Sequence, residues 1–242
     1  MWLIYKKAPE FSGAFLPFSS LQKLFFWLGV KPMKKKHVLI VYYSLTNQTR
    51  GLLEAYSSGL SDPKICLEIC SLHPLHPLRL PLRSNFSLLK AMWQPFWRRR
   101  CQIEDPCLQR SHYDHIIIAG PTWSFQPSAP ILAFWQDYGD IVAATRVDFL
   151  ISCRSCWRNH YWGLRRLCKK HGGLPGEPLL FEHASDEPWC TIGLLLYLRG
   201  IYANRLPLWL KKRYPFFGHS YNQWADVYDR GALLRQQLLD MM

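Results

Sequence analysis

Acidic residues are scarce in this chain: 17 Asp and Glu stand against 30 Lys and Arg, a formal net charge of +13 over 242 residues. Such a deficit implies anionic company: a phosphorylated cofactor, an acidic partner, a membrane surface or nucleic acid. Also missing is any uninterrupted apolar run of about 18 to 20 residues, the length a membrane-spanning helix needs. The nearest approach, 192–198, is stopped by Arg199, so no transmembrane helix is expected. The eight cysteines are too sparse for a disulfide scaffold and follow no clear secretory signal. Reduced thiols in a cytoplasmic protein are expected. No recognisable nucleic-acid motif is present, which makes nucleic acid an unlikely partner. Neither paired carboxylates nor a nucleophile with its base can be placed by spacing, so no catalytic residue is assigned. Disorder is excluded for most of the chain, because 49% hydrophobic and 15% aromatic residues can bury a full core.

What is present is organised around residues 38–49, VLIVYYSLTNQT. The apolar run 38–43 reads as a strand buried on both faces of a parallel sheet. Ser44, Thr46, Asn47 and Thr49 follow within six positions, and Leu52, Leu53, Tyr56 and Leu60 then recur at helical spacing. The first N–H groups of a helix lack internal partners and carry partial positive charge, so a phosphate placed there takes those donors together with the hydroxyls. Alternatively, Thr46 or Asn47 caps the helix and nothing more.

Further strands are expected at 64–70, 113–120, 146–152 and 177–183, alternating with helices from 86 to 100, from Pro130 through Tyr138, and after Trp157 to His171, where Gly172 and Gly173 stop the chain. Cys66 and Cys70 lie four apart in a strand, a spacing that puts both on one buried face. His73 and His76, in a proline-punctuated stretch, have no further ligand nearby and read as surface loop. The alternation calls for a doubly wound parallel sheet, in which ligands bind beyond the carboxyl ends of the strands. Polar loops after the first, third and fourth strands all fall at that edge, and this convergence lifts the turn at 44–49 above a simple cap.

These residues resemble the flavodoxin family. YSLTNQT at 43–49 is similar to its phosphate loop, with Asn47 where glycine is usual. YDHIIIAGPTW at 113–123 is similar to its third strand and the loop carrying the isoalloxazine ring, and VDFLISC at 147–153 is similar to the start of its fourth βα unit. The resemblance covers about 33–183 and implies a flavodoxin-like α/β fold, a five-stranded parallel sheet of order 2-1-3-4-5, with noncovalent FMN. It implies that Ser44, Thr46, Asn47, Gln48 and Thr49 hold the phosphate. Pro121, Thr122, Trp123, Ser124 and Phe125 would border the ring on one side, and Ser152, Cys153, Arg154, Ser155 and Trp157 on the other. Trp123 and Trp157 are stacking candidates or core tryptophans. The charge is reversed relative to a flavodoxin shuttle with an acidic face, which favours an enzyme of the oxidoreductase class using NAD(P)H.

Residues 1–32, with helical spacing over 15–30, are either an interfacial helix or lie outside the functional domain. The segment 184–242 alternates apolar and basic blocks before a helix from about Tyr221 to Leu239. Its layout is similar to longer flavodoxin-like bacterial proteins, some named dialkylresorcinol condensing enzymes. A peripheral membrane surface, packing over the sheet edge and a homodimer contact all fit it. The C-x-x-C at 153–156 reads as small ring-loop residues or as a redox pair whose thiol Arg154 activates. The competing function is a flavodoxin-fold binding or assembly protein without flavin.

Overall fold

A computed structural model describes residues 35–242 apart from 79, 83, 85–100, 185, 202–205 and 213–217. The extension 1–32, the crossover helix expected at 86–100 and the Arg213, Phe216 and Phe217 blocks lie outside the described residues.

The order of elements is β1 (Lys36–Tyr42), α1 (Gln48–Leu60), β2 (Ile65–Ser71), β3 (His115–Trp123), β4 (Gln126–Pro127), α2 (Ala129–Asp137), β5 (Arg146–Cys153), α3 (Trp157–Lys170), β6 (Leu174–Glu182), α4 (Trp189–Leu198), α5 (Leu208–Lys211) and α6 (Tyr221–Asp240). Strands β2, β1, β3, β5 and β6 lie side by side in that order, all parallel, and β4 pairs antiparallel with β3. Counting the five parallel strands alone gives 2-1-3-4-5, the flavodoxin-like order.

Alternation along the strands builds two cores. Leu39, Val41, Ile116, Ile118, Phe149 and Ile151 meet Phe134 and Trp135 of α2 and Leu164 of α3. Val38, Ile40, Ile117, Ala119, Leu150 and Phe181 meet α1 and α6. The C-terminal helix is therefore a structural partner of α1. Its buried residues Val227, Gly231, Leu234 and Leu238 fall on one stripe at i, i+4, i+7 and i+11. Two glycines set the approach: a Cβ on Gly59 would overlap the Tyr228 carbonyl oxygen, and one on Gly231 the Tyr56 carbonyl oxygen.

Two expectations are corrected. Cys66 and Cys70 do share one face of β2, but only Cys70 is buried, because β2 is an edge strand whose face is covered at Cys70 and not at Cys66. The stretch expected as loop from Pro121 is strand as far as Trp123, and the chain then folds straight back. Ser124 (φ 43°) and Phe125 (φ 69°) form the tight turn, pairing Trp123 with Gln126 and Thr122 with Pro127. Among the described residues no helix is long and apolar enough to cross a membrane.

Candidate functional site at the carboxyl edge of the sheet

β1 hands the chain to α1 through Ser44, Leu45, Thr46 and Asn47. Tyr43, buried, donates its N–H to the Ala119 carbonyl at 3.1 Å and ties the turn to β3. Asn47 adopts φ 60°, ψ 2°, the left-handed conformation that glycine would enter freely and that Asn tolerates better than most residues. Its side chain makes no capping bond, so the simple-cap reading of Asn47 fails. Its carbonyl takes the Gly51 N–H at 2.9 Å, and Ser44 Oγ takes the Arg50 N–H at 3.3 Å. Among the described residues nothing accepts from the N–H groups of Gln48 and Thr49, so these are the helix donors left for an anion. No acidic side chain stands in the first turn, and Arg50 is turned to Glu54 at 2.8 Å. The Thr49 side chain is buried; Ser44, Thr46 and Gln48 are half-buried; Asn47 is exposed.

The hairpin after β3 forms the second wall. Trp123 meets Tyr43 edge-on, ring centres 5.6 Å apart at 85°, which fastens the hairpin to the first turn. Thr122 Oγ1 lies 2.7 Å from Nδ1 of His160, a fully buried residue of α3. Burial pushes His160 down to about 3, so the ring bonded to Thr122 is the neutral imidazole. Pro121 and Ser124 are half-buried, and Phe125 at the tip is exposed.

Beyond β5 lies the third wall. Ser152 is buried, with Oγ 2.9 Å from His219 Nε2. Cys153 is also buried, within the core under α2 and α3, so its backbone rather than its thiol is what it offers the loop. Burial, then the nearby Glu182, pushes that thiol up to about 12. Arg154 is held by Glu187 at 3.1 Å and by Thr191, so it is not the thiol activator that the redox reading requires. Ser155 and Cys156 are exposed, Cys156 being the left-handed residue (φ 59°) before α3. Trp157 packs half-buried on the core with the Arg158 guanidinium 5.7 Å from its ring centre. No group of three metal-ligating side chains occurs among the described residues.

The segment between β6 and α6 also returns to this edge. Gly218 lies so close to Gln48 that a Cβ would stand 2.6 Å from the Gln48 Oε1, and its carbonyl takes the Ala184 N–H at 3.0 Å. The His219 ring meets His183 edge-on at 5.0 Å, and His183 Nδ1 lies 3.4 Å from Cys190 Sγ. Burial pushes His183 down to about 3 and His219 to about 4, keeping both neutral near pH 7. Sequence reasoning missed His183, Gly218 and His219. The one local signal was Ser220 with Gln223 three residues on, a reciprocal capping box that fixes the start of α6 just after His219. Side-chain contacts thus join the three walls: Tyr43 to Trp123, Thr122 to α3, and Gln48 and Ser152 to the Gly218–His219 step.

No family model matches the chain, and no curated protein matches it. Solved structures do. A flavoprotein in complex with FMN from Lactobacillus acidophilus is 17% identical, with 59% of this chain and 91% of that one covered and a TM-score of 0.45. A flavodoxin, WrbA-like protein from Agrobacterium tumefaciens is 15% identical, covering 84% and 96%, with a TM-score of 0.42. A flavodoxin from the domain Archaea is 9% identical, covering 83% and 97%, with a TM-score of 0.45. These likenesses concern the fold alone.

Proposed function

We propose that this chain, which has a flavodoxin-like fold, is an FMN-binding flavoprotein of the oxidoreductase class that draws electrons from NAD(P)H. The observation that carries the reading is the turn at Asn47: a left-handed residue opens α1, the N–H groups of Gln48 and Thr49 have no acceptor among the described residues, and the Ser44 and Thr46 hydroxyls belong to the same turn. A phosphate monoester needs that donor set. Aromatic faces for the ring are offered by Trp123 at the end of β3 and Trp157 at the start of α3, both half-buried against the core.

FMN, when bound, supplies hydride or single-electron transfer. The protein's part is to bind, orient and shield. Gln48, Thr49 and the hydroxyls fix the phosphate, and the net charge of +13 favours a dianionic ligand. Thr122, anchored on the neutral His160, holds the hairpin in place, and Trp123, braced on Tyr43, closes one side of the ring site. Ser152, with its hydroxyl engaged by His219, borders the other side.

Titrating the protein into FMN tests this: saturable quenching of flavin fluorescence is expected, and its absence would sink the assignment. A second reading has one observation in its favour. Gly218 and His219 occupy space against Gln48 and Ser152, as in a flavin-free protein that fills its own edge and acts through its basic, apolar C-terminal segment on a partner or membrane. Unquenched FMN together with sedimentation on anionic liposomes is the outcome that reading requires.

A further inference from the structure

Helix α3 carries no acidic residue, and its exposed side is a continuous basic stripe: Arg158, Trp162, Arg165 and Lys169 recur at i, i+4, i+7 and i+11, flanked by Arg166 and Lys170. In the middle of it Trp162 is 58% exposed, the one large apolar side chain that α3 shows to solvent. Beside this stripe runs a groove of about 290 Å³ bordered by Gln126 and Pro127 of β4, Leu132 of α2, and Trp162, Arg166 and Lys170 of α3. Gly163 keeps the groove open, because its nearest neighbours outside α3, Pro127 and Gln126, stand 3.8 Å and 3.9 Å from where a Cβ would be.

We infer that this groove is a binding site for an adenosine phosphate, the non-reacting end of a pyridine dinucleotide whose other end reaches the proposed flavin site. The inference rests on the flavin reading and extends it to the donor. Three features of the groove carry it. An exposed indole offers a flat face for a purine, and bases stack on such faces whatever their sequence. The Arg166 guanidinium lies over that indole, 5.9 Å from its centre, and Lys170 follows one turn on, so two cations stand beside the indole for phosphate oxygens. The location is the third. Gln126 pairs with Trp123 across the hairpin, so roughly 5 Å of interstrand spacing separates the groove from the aromatic wall of the flavin site. An extended dinucleotide spans that distance easily. The concavity favours a small ligand over a lipid surface, since a single tryptophan in a stripe of cations gives little apolar area to insert.

The test uses the full chain, with and without FMN, and ADP and 2′,5′-ADP as probes followed by calorimetry. Saturable binding of at least one probe is expected, at least tenfold weaker in the Arg166→Ala/Lys170→Ala double variant and in Trp162→Ala, with FMN quenching unchanged in both. Absence of saturable binding, or binding indifferent to these substitutions, overturns the inference. So does tighter, uncompeted binding of a short single-stranded oligonucleotide or an anionic vesicle to the same residues. FMN titration of the same samples separates the two claims. Lost probe binding with intact FMN quenching removes the groove assignment alone, whereas intact probe binding without FMN quenching removes the flavin reading and the donor role with it, leaving an adenosine phosphate site only.

Discussion

Replacing Gly231 by Ala is predicted to destabilise the protein, although the same change in a solvent-facing helix usually does the opposite. The new Cβ would overlap the Tyr56 carbonyl oxygen and stand 3.1 Å from the Leu60 nitrogen. At Gly59 it would overlap the Tyr228 carbonyl oxygen and stand 3.0 Å from the Ala232 nitrogen. Carbon against carbonyl oxygen needs about 3.3 Å or more, so α1 and α6 must part by about 1 Å. Backbone cannot rotate away as a side-chain tip can. A gap of that size forfeits roughly a quarter to a half of the dispersion energy of the facing side chains, here those of Val227, Leu234 and Leu238. Overpacking costs about 1–3 kcal/mol, here at the upper end, and the helix preference of Ala over Gly returns about 1. The net is about 2 kcal/mol per site, or about 4–8 °C in Tm for a domain of this size. Gly59→Ala should behave alike, and the double variant should fall short of the sum because both strain one contact. Gly163→Ala is the control: its Cβ meets only ordinary contacts, so a gain of about 0.5–1 kcal/mol is expected. Urea unfolding followed by circular dichroism reads all four variants. Should Gly231→Ala stabilise as Gly163→Ala does, the close packing of α1 on α6 is wrong.

Three further outcomes follow from the site. Asn47→Val places a β-branched residue at φ 60° and should weaken FMN by about 5- to 30-fold, an energy of about 1–2 kcal/mol, while Asn47→Gly should bind at least as well; fluorescence titration of both decides it. Buried His160 is held neutral, its folded pKa about 3 against about 6.5 unfolded, so its contribution is complete above pH 6.5 and is lost as pH falls towards 3. At pH 5 that amounts to about 2 kcal/mol relative to pH 7, and His160→Asn should flatten the pH profile of urea midpoints over that range; an unchanged slope contradicts the neutral assignment. Asp148, 2.9 Å from His115 at the opposite end of the sheet, should cost about 2–4 kcal/mol when replaced by Leu, because His115 is left buried without its partner. FMN affinity should not follow, since the pair lies away from the carboxyl edge.

The strands were legible because residues buried on both faces read as plain apolar runs: the four residues Val38, Leu39, Ile40 and Val41 are completely buried and were all expected to be. The turn at 44–49 was legible for the same local reason, its hydroxyls falling between a strand pattern and a helix pattern. The β4 hairpin was not, since Ser124 and Phe125 enter positive φ without the Gly or Asn that announces such turns, and prolines on either side read as loop. Cys66 escaped because spacing gives the face of a strand but not its position in the sheet. The contacts of His183, Gly218 and His219 join residues far apart in sequence, as His219 with Ser152 and Gly218 with Gln48, and periodicity carries no information about such pairs. The service of α6 as the partner of α1 depends on Gly59 and Gly231, which read from sequence only as weak helix positions.

The central claim, that the turn after β1 holds the phosphate of FMN, is met most directly by comparing flavin-fluorescence titrations of the natural chain and a Ser44→Ala/Thr46→Ala variant, with riboflavin alongside FMN. Saturable FMN quenching is expected, at least tenfold weaker in the variant from the loss of about two hydrogen bonds to a charged phosphate, with riboflavin binding weakly and equally to both. Equal FMN affinity in the two proteins, or riboflavin binding as tightly as FMN, contradicts the account.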